Sequence, residues 1–195
     1  MNKIIKMGAI FTLIFLAACA HKIQVTPELT ALRNIDVGPA TDKVVGYYIS
    51  PEDRAAVITT PGGGGDKVTY SSYKDTESAL NTILLKNFSR VYSVDSLSNS
   101  GFINDKKIEL IFLPKITTNS SSNSLVTWPP TSFTVELICK AINADGDEVW
   151  SKAVESEGNA TFSEFKSDFG LAGRRAMNGA FEKMLVEISN ASELK

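Results

Sequence analysis

Two spacings of apolar residues run along this chain, and each predicts one kind of element. Apolar and β-branched runs or strict alternation are typical of strands, whereas apolar residues three or four positions apart are typical of amphipathic helices. The strand-like segments are residues 44–49, 55–60, 67–70, 107–117, 132–143 and 148–155, with a short strand or bulge at 159–165. The helical spacing predicts one helix from about Asp75, with Leu80, Ile83, Leu84, Phe88 and Val91 on its buried face, and one over about residues 167–189.

The order of these elements, strands then helix twice over, predicts an α+β fold. We expect a two-layer sandwich in which two helices pack on one face of a mixed, mainly antiparallel sheet. Asp145-Gly146 between two strand patterns predicts a tight hairpin turn. Three glycines lower the intrinsic stability of the last helix, which we therefore expect to pack closely on the sheet; they are Gly170, Gly173 and Gly179. Residues 35–195 are predicted to form a single domain.

The first eighteen residues have the pattern of a secretory signal. Lys3 and Lys6 precede an uncharged apolar stretch from Met7 to Ala18. This stretch is too short to span a hydrocarbon core about 30 Å thick as a stable helix. Residues 1–18 are therefore predicted to be a signal peptide.

The signal closes with Leu16-Ala17-Ala18-Cys19, which resembles the bacterial lipobox. The resemblance implies that diacylglycerol is attached to the Cys19 sulfur, that the chain is cut before Cys19, and that the new terminus is acylated. Residue 20 is Ala and not Asp, so the sorting pattern of Gram-negative lipoproteins implies the outer membrane, with a periplasm-facing orientation as the default. Two alternatives are a secreted protein cut after Ala18 and a short anchor that is retained. Residues 19–34 are interpreted as the lipidated cysteine and a tether.

The charge of the chain disfavours two classes of partner. Without residues 1–18 the chain has 177 residues, with 18 Lys and Arg against 22 Asp and Glu, and a formal charge of −4. This balance disfavours nucleic acid as a partner and disfavours general adhesion to anionic lipid. The lipid at Cys19 is therefore the expected route to the membrane.

Residues with catalytic or metal-binding chemistry do not form a recognisable motif. His21, the only histidine, lies in the predicted tether, and Cys139 lies on the apolar face of a strand, where a buried, inert thiol is expected. Gly62–Gly65 is followed by Asp66 and Lys67 and lacks the Lys-Ser/Thr of a phosphate-binding loop. We therefore predict no catalytic residue, no metal and no cofactor.

Two groups of acidic residues have an ordinary structural interpretation. Asp145, Asp147 and Glu148 surround a glycine, but the segment lacks the remaining oxygen ligands of a calcium loop, so turn chemistry is expected. Glu136 lies on the polar side of its strand. We expect it on a solvated face.

The segment Trp128-Pro129-Pro130 is the most distinctive feature outside the signal. It ends a Ser- and Asn-rich loop, and consecutive prolines stiffen the chain. A rigid aromatic tip of this kind is suited to a partner, a glycan or a membrane interface. The alternative is that Trp128 folds back and caps the core.

The layout from Phe133 through Ile188 resembles small periplasm-facing outer-membrane lipoproteins of the YajG type. It also resembles lipoprotein accessory subunits of polysaccharide export, peptidoglycan-synthase activation and ABC-type transport. The resemblance rests on an alternating strand, a turn, Val149-Trp150, Gly158-Asn159-Ala160 and an Ala-rich helix. It implies a non-enzymatic accessory or scaffold role, with an envelope protein bound through an exposed sheet edge or the Trp128 loop. A peptidoglycan or lipid hydrolase and a structural homo-oligomer are the alternatives.

Overall fold

The computed structural model describes residues 20–60, 67–122, 129 and 131–195. The strands are β1 (Ala20–Lys22), β2 (Thr41–Tyr47), β3 (Ile58–Thr59), β4 (Lys67–Tyr70), β5 (Phe88–Ser93), β6 (Leu110–Ser121), β7 (Ser132–Asn143) and β8 (Glu148–Asn159). The helices are α1 (Leu29–Asn34), α2 (Pro51–Ala55), α3 (Ser72–Asn87), α4 (Ser100–Lys106), α5 (Phe162–Ser167) and α6 (Leu171–Asn190), and a 3-10 turn follows at Ser192–Leu194. The fold is α+β, as the sequence predicts.

The main sheet is mixed and has five strands in the order β5-β2-β6-β7-β8. The strands β5, β2 and β6 run parallel, whereas β6, β7 and β8 form antiparallel pairs. Gly146 makes the predicted tight turn between β7 and β8 with a φ of +90°, in the region that favours glycine. A smaller sheet has the order β1-β4-β3.

The main core lies between the sheet and the long helices α3 and α6. Alternate residues of β7 point into it, and all of them are buried: Phe133, Val135, Leu137, Cys139 and Ala141. Leu80, Ile83 and Leu84 of α3 meet them there, together with the apolar face of α6. Two long helices therefore pack on one face of the sheet, which confirms the predicted sandwich.

The opposite face carries a smaller cluster that the sequence did not predict. Residues 100–106 form α4, whose Ile103 packs with Ile108 and Ile111. The side chain of Asn99 accepts a hydrogen bond from the backbone N–H of Phe102 and caps the helix. Phe102 of the same helix also packs against this cluster, with its ring centroid 6.2 Å from that of Tyr92, so two apolar residues dock the short capped helix on the sheet.

Close packing of α6 on the sheet follows the prediction from its glycines. A Cβ atom at Gly179 would lie 2.3 Å from the Ser156 hydroxyl oxygen, and one at Gly173 would lie 2.7 Å from Val25. The tightest contact is on the strand, because a Cβ at Gly158 would lie 2.1 Å from the carbonyl oxygen of Ala172. The small residues allow the helix to lie directly on β8.

Helix starts account for two of the differences between predicted and observed elements. Residues 55–60 were expected to be a strand, but Ser50 caps a helix with Pro51 in its first turn, and only Ile58–Thr59 are extended. Residues 159–165 were expected to be a strand or bulge, but β8 runs unbroken to Asn159 and Thr161 then caps α5. In both places a local Ser or Thr cap determines the element.

Residues 20–34 also differ from the tether predicted by the sequence. Strand β1 pairs in parallel with β4, and Ile23, Val25 and Leu32 are buried in the main core. The backbone N–H of Val25 donates a hydrogen bond to Asp75, and that of Glu28 donates one to Asn178. These contacts hold residues 23–28, which connect β1 to α1, against the rest of the domain.

Within the described part of the chain, no helix combines the length and the apolar character that a membrane span requires.

Candidate functional site

The predicted lipidation residue, Cys19, lies outside the described residues, whereas its neighbour Ala20 lies within them. Ala20 is the first residue of β1 and pairs with Lys67 of β4. The residue that follows position 19 in the chain is therefore already part of the smaller sheet.

The structure describes only one residue of the predicted partner-binding loop. Trp128 and Pro130 lie outside the described residues, whereas Pro129 is buried. The Pro129 carbonyl accepts a hydrogen bond from the backbone N–H of Thr131, at 2.7 Å. Pro129 thus adjoins the first residue of β7 and places this part of the loop at the end of the sheet.

A groove lies on the sheet face opposite α3 and α6, near the same end of β6 and β7. We call it the open-face groove; its volume is about 560 Å³. Six of its residues alternate with core residues along three strands, so their side chains point away from the long helices. These residues are Thr117, Asn119, Thr134, Glu136, Glu155 and Glu157.

Carboxylates dominate the charge of this groove. Glu136 and Glu155 are directly opposite each other in the β7–β8 register, and like charges in that arrangement repel. Glu157 accepts hydrogen bonds from the side chains of Ser132 at 3.0 Å and Asn159 at 3.1 Å. Among the described residues, none of these three carboxylates forms an ion pair. Lys183 also lines the groove and donates a hydrogen bond to the Glu155 carbonyl, so the groove presents hydrogen-bond acceptors, one ammonium and a net negative charge.

The outer edge of β8 is covered by side chains from α6. Arg175 donates a hydrogen bond to the Asn159 carbonyl, and Lys183 donates one to the Glu155 carbonyl, each at 2.6 Å. Unpaired backbone groups on an edge strand otherwise invite another strand to add to the sheet. An exposed sheet edge was predicted as a partner surface. At the β8 edge, two backbone carbonyls already accept hydrogen bonds from α6 side chains.

Aromatic rings link the start of β1 to the segment around α5. His21 stacks on Phe169, with ring centroids 4.0 Å apart, and Phe169 packs edge-on against Phe165 at 5.0 Å. Phe162, three residues earlier on α5, is 54% exposed, and the Lys166 ammonium lies 5.6 Å from its ring centroid. We call His21, Lys22, Lys67, Phe162 and Lys166 the anchor-proximal surface.

Two acidic groups beside this surface are neutralised by arginines. Hydrogen bonding to Arg175 and to the Thr161 backbone and hydroxyl lowers the pKa of Glu164 to about 2. The same carboxylate completes a capping box with Thr161 at the start of α5. The ion pair with Arg174 likewise lowers the pKa of Asp168. Both carboxylates are therefore engaged within the protein.

The predicted inert thiol is confirmed. Cys139 is fully buried, and burial raises its pKa to about 12. A thiolate is the reactive form of cysteine, so this thiol is protected by both its burial and its protonation.

The acidic turn also follows the prediction. The Asn143 side chain accepts hydrogen bonds from the backbone N–H groups of Asp145 and Asp147, and Glu148 pairs with Lys140 at 2.7 Å. In the described ranges, no group of three or more His, Cys, Asp or Glu residues is arranged to hold a metal ion.

No protein-family model matches this chain, and no curated protein matches it at a significant level. Among solved structures, it is similar to a Xanthomonas campestris protein of the DUF330 family, with 10% identity and a TM-score of 0.48 over 88% of this chain and 91% of that one. A proposed neuraminyllactose-binding hemagglutinin homolog from Helicobacter pylori superimposes with 15% identity and a TM-score of 0.45, over 83% of this chain and 89% of that one. A proposed lipoprotein from Caulobacter crescentus has 10% identity and a TM-score of 0.29, over 42% and 66%. No residue role is transferred from these proteins.

Proposed function

We propose that this chain is a lipid-anchored, periplasm-facing outer-membrane lipoprotein that serves as a non-enzymatic accessory or scaffold subunit of an envelope complex. The observation that carries the proposal is Leu16-Ala17-Ala18-Cys19 at the end of a short uncharged apolar stretch. The thiol of Cys19 can carry a thioether-linked lipid, and Ala17 and Ala18 are small enough for a narrow protease subsite.

The start of the fold fits an anchor at this position. Each CH₂ group of an acyl chain buried in the bilayer contributes about 0.8 kcal/mol, so several chains on one residue hold a protein far more firmly than one. Because Ala20 is already paired in β1, the lipid would hold the domain at the bilayer surface with no flexible linker between them. The anchor would then supply the membrane affinity that a mature charge of −4 does not.

Two surfaces remain for an envelope partner near the same end of the sheet. One is the loop that contains Trp128, and the other is the open-face groove beside it. Thr117, Asn119 and Thr134 are exposed there next to the unpaired carboxylates. Such a surface suits a partner that contributes cationic or hydrogen-bond-donating groups.

Metabolic labelling and fractionation test the anchor. Wild-type protein should incorporate labelled palmitate and sediment with the outer membrane, whereas Cys19→Ser should lose the label and leave the membrane fraction. Ala20→Asp should keep the label and move to the inner membrane, by resemblance to the sorting pattern of Gram-negative lipoproteins. Labelling of Cys19→Ser equal to wild type would contradict the proposal.

Site-specific photo-crosslinking in cells tests the partner surface. A photoreactive residue at Thr117, Thr134 or Trp128 should give discrete adducts with an envelope protein. The matched control is Val186, which is 43% exposed on α6. Adducts that are equally abundant at Val186, or absent at both groove positions and at Trp128, would count against an accessory role.

A further inference from the structure

We propose that the anchor-proximal surface lies directly against the phospholipid leaflet that holds the lipid, with Phe162 inserted among the headgroups. This inference rests on the proposed lipidation of Cys19. It adds the orientation of the domain, which an anchor alone does not determine.

The backbone is paired from Ala20 onward, with no flexible linker before β1 among the described residues. Ala20, His21 and Lys22 are all paired with β4, and the next backbone N–H, of Ile23, donates a hydrogen bond to the Thr69 carbonyl at 2.9 Å. Ile23 is buried. A lipid on the preceding residue therefore brings the start of β1 to the bilayer surface, and it brings the neighbouring side chains with it.

Packed aromatic rings connect β1 to α5. The stack of His21 on Phe169 and the contact of Phe169 with Phe165 join the two elements through buried or half-buried rings. Lys22 and Ser167 line the same depression, so the end of α5 adjoins β1. Phe162 is five residues from Ser167, about 8 Å along the helix at 1.5 Å per residue. Its exposed ring is thus held near the anchor.

The charged side chains around β1 and α5 differ in whether they are paired. Lys22, Lys67 and Lys166 form no ion pair among the described residues, whereas Glu164 and Asp168 are paired with Arg175 and Arg174. Unpaired lysines beside a bilayer are attracted to anionic headgroups. An exposed aromatic ring beside lysines is typical of helices that lie in the membrane interface. The local surface is therefore complementary to anionic lipid although the whole mature chain is acidic.

Lipid quenching tests this contact in the lipidated full-length protein. Phe162→Cys is labelled with an environment-sensitive fluorophore. Val186→Cys is the matched control, because it lies about 22 Å along α6 from Leu171, the first residue of that helix, at 1.5 Å per residue. Cys139 is buried and does not compete for the label. The proteins are reconstituted in phosphatidylcholine vesicles with or without phosphatidylglycerol, and nitroxide-labelled lipid serves as the quencher.

The label at position 162 should be strongly quenched, and more so with phosphatidylglycerol, while the label at position 186 should be quenched little. Removal of two charges, by Lys22→Gln with Lys166→Gln, should lower the docked-to-undocked ratio in phosphatidylglycerol vesicles roughly tenfold or more. Lys115→Gln, a change of an exposed lysine on the opposite sheet face, should leave it unchanged.

Flotation of the vesicles distinguishes a failure of the docked orientation from a failure of the lipid anchor. Protein that floats with the vesicles but shows equal quenching at positions 162 and 186 overturns the docking of this surface and leaves the anchor intact. Protein that does not float overturns both the anchor and the orientation built on it.

Discussion

The imidazole ring of His21 lies parallel to the phenyl ring of Phe169, with centroids 4.0 Å apart and planes inclined by 16°. This contact joins the first strand of the fold to the segment between α5 and α6. It therefore ties the residues next to the predicted anchor to the far end of the chain.

A double-mutant cycle measures this stack. His21→Ala and Phe169→Ala should each lower the free energy of unfolding, and their coupling energy should be about 0.5–1.5 kcal/mol, the range for stacked ring pairs. Urea unfolding of the two single variants and the double variant provides the measurement. Lys22→Ala combined with Phe169→Ala is the control cycle, and its coupling energy should be smaller than that of the stacked pair. Additive effects of His21→Ala and Phe169→Ala would show that the stack contributes nothing.

The contact between Gly158 and α6 predicts a large effect from one methyl group. In Gly158→Ala the Cβ atom would lie 2.1 Å from the Ala172 carbonyl oxygen and 2.4 Å from the Ala176 backbone nitrogen. Backbone atoms cannot move aside as a flexible side chain can, so we expect a loss of about 2–3 kcal/mol or more in unfolding free energy.

Gly101→Ala is the matched control, because the nearest atom to its Cβ is the Asn99 side-chain oxygen at 3.8 Å. In helix α4 this change should be neutral or stabilising by about 0.5–1 kcal/mol. Equal stability of Gly158→Ala and wild type would mean that α6 does not lie on β8 as described.

The fold is recoverable from the sequence where side-chain burial alternates strictly. Residues 132–143 have this alternation, and β7 spans the same residues. The apolar spacing of Leu80, Ile83 and Leu84 likewise predicted the buried face of α3, but the helix ends at Asn87, and Phe88 and Val91, expected on the same face, belong to β5. In these elements one face is buried along the whole length, so the pattern and the structure have the same physical origin.

The missed elements are short and depend on capping and tertiary contacts. The helices α2, α4 and α5 have five to seven residues each, too few for a reliable apolar period. Ser50, Asn99 and Thr161 cap them. These caps are visible in the sequence, but many similar residues occur in turns.

The candidate surfaces could be predicted only in part. Glu136 was expected on a solvated strand face, but Glu155 and Glu157 join it only through the register of β7 and β8. The contact of His21 with Phe169 spans most of the chain, and no local pattern encodes it. The anchor-proximal surface therefore becomes visible only in three dimensions.

Thiol counting tests both the burial of Cys139 and the modification of Cys19. The chain has two cysteines, so the lipidated protein should expose no reactive thiol when folded and one thiol after unfolding. Ala153→Cys, on the exposed face of β8, should add one reactive thiol in the folded state. Rapid labelling of Cys139 in the folded protein would contradict its burial, and two thiols after unfolding would indicate an unmodified Cys19.

The carboxylate of Glu164 should make part of the stability depend on pH. Its pKa is lowered from 4.5 to about 2 in the folded protein, so the stabilisation is complete above about pH 4.5 and is lost as the pH falls through about 2. Glu164→Gln should therefore lower the thermal midpoint at pH 7, and the difference from wild type should shrink as the pH falls between these values.

Thermal unfolding followed by circular dichroism over this pH range provides the measurement. Glu109→Gln removes an exposed carboxylate that forms no ion pair among the described residues, and it should leave the pH profile close to that of wild type. A difference between Glu164→Gln and wild type that stays constant with pH would argue against the charged pair with Arg175.

The most direct test of the lipid anchor is mass spectrometry of the N-terminal tryptic peptide of the mature protein. Cleavage before Cys19 and after Lys22 leaves Cys-Ala-His-Lys. The predicted result is this peptide with a diacylglycerol on the sulfur and an acyl chain on the amine, and its absence from Cys19→Ser. An unmodified peptide that begins at Cys19, or a chain that still carries residues 1–18, would contradict the anchor and the function proposed from it.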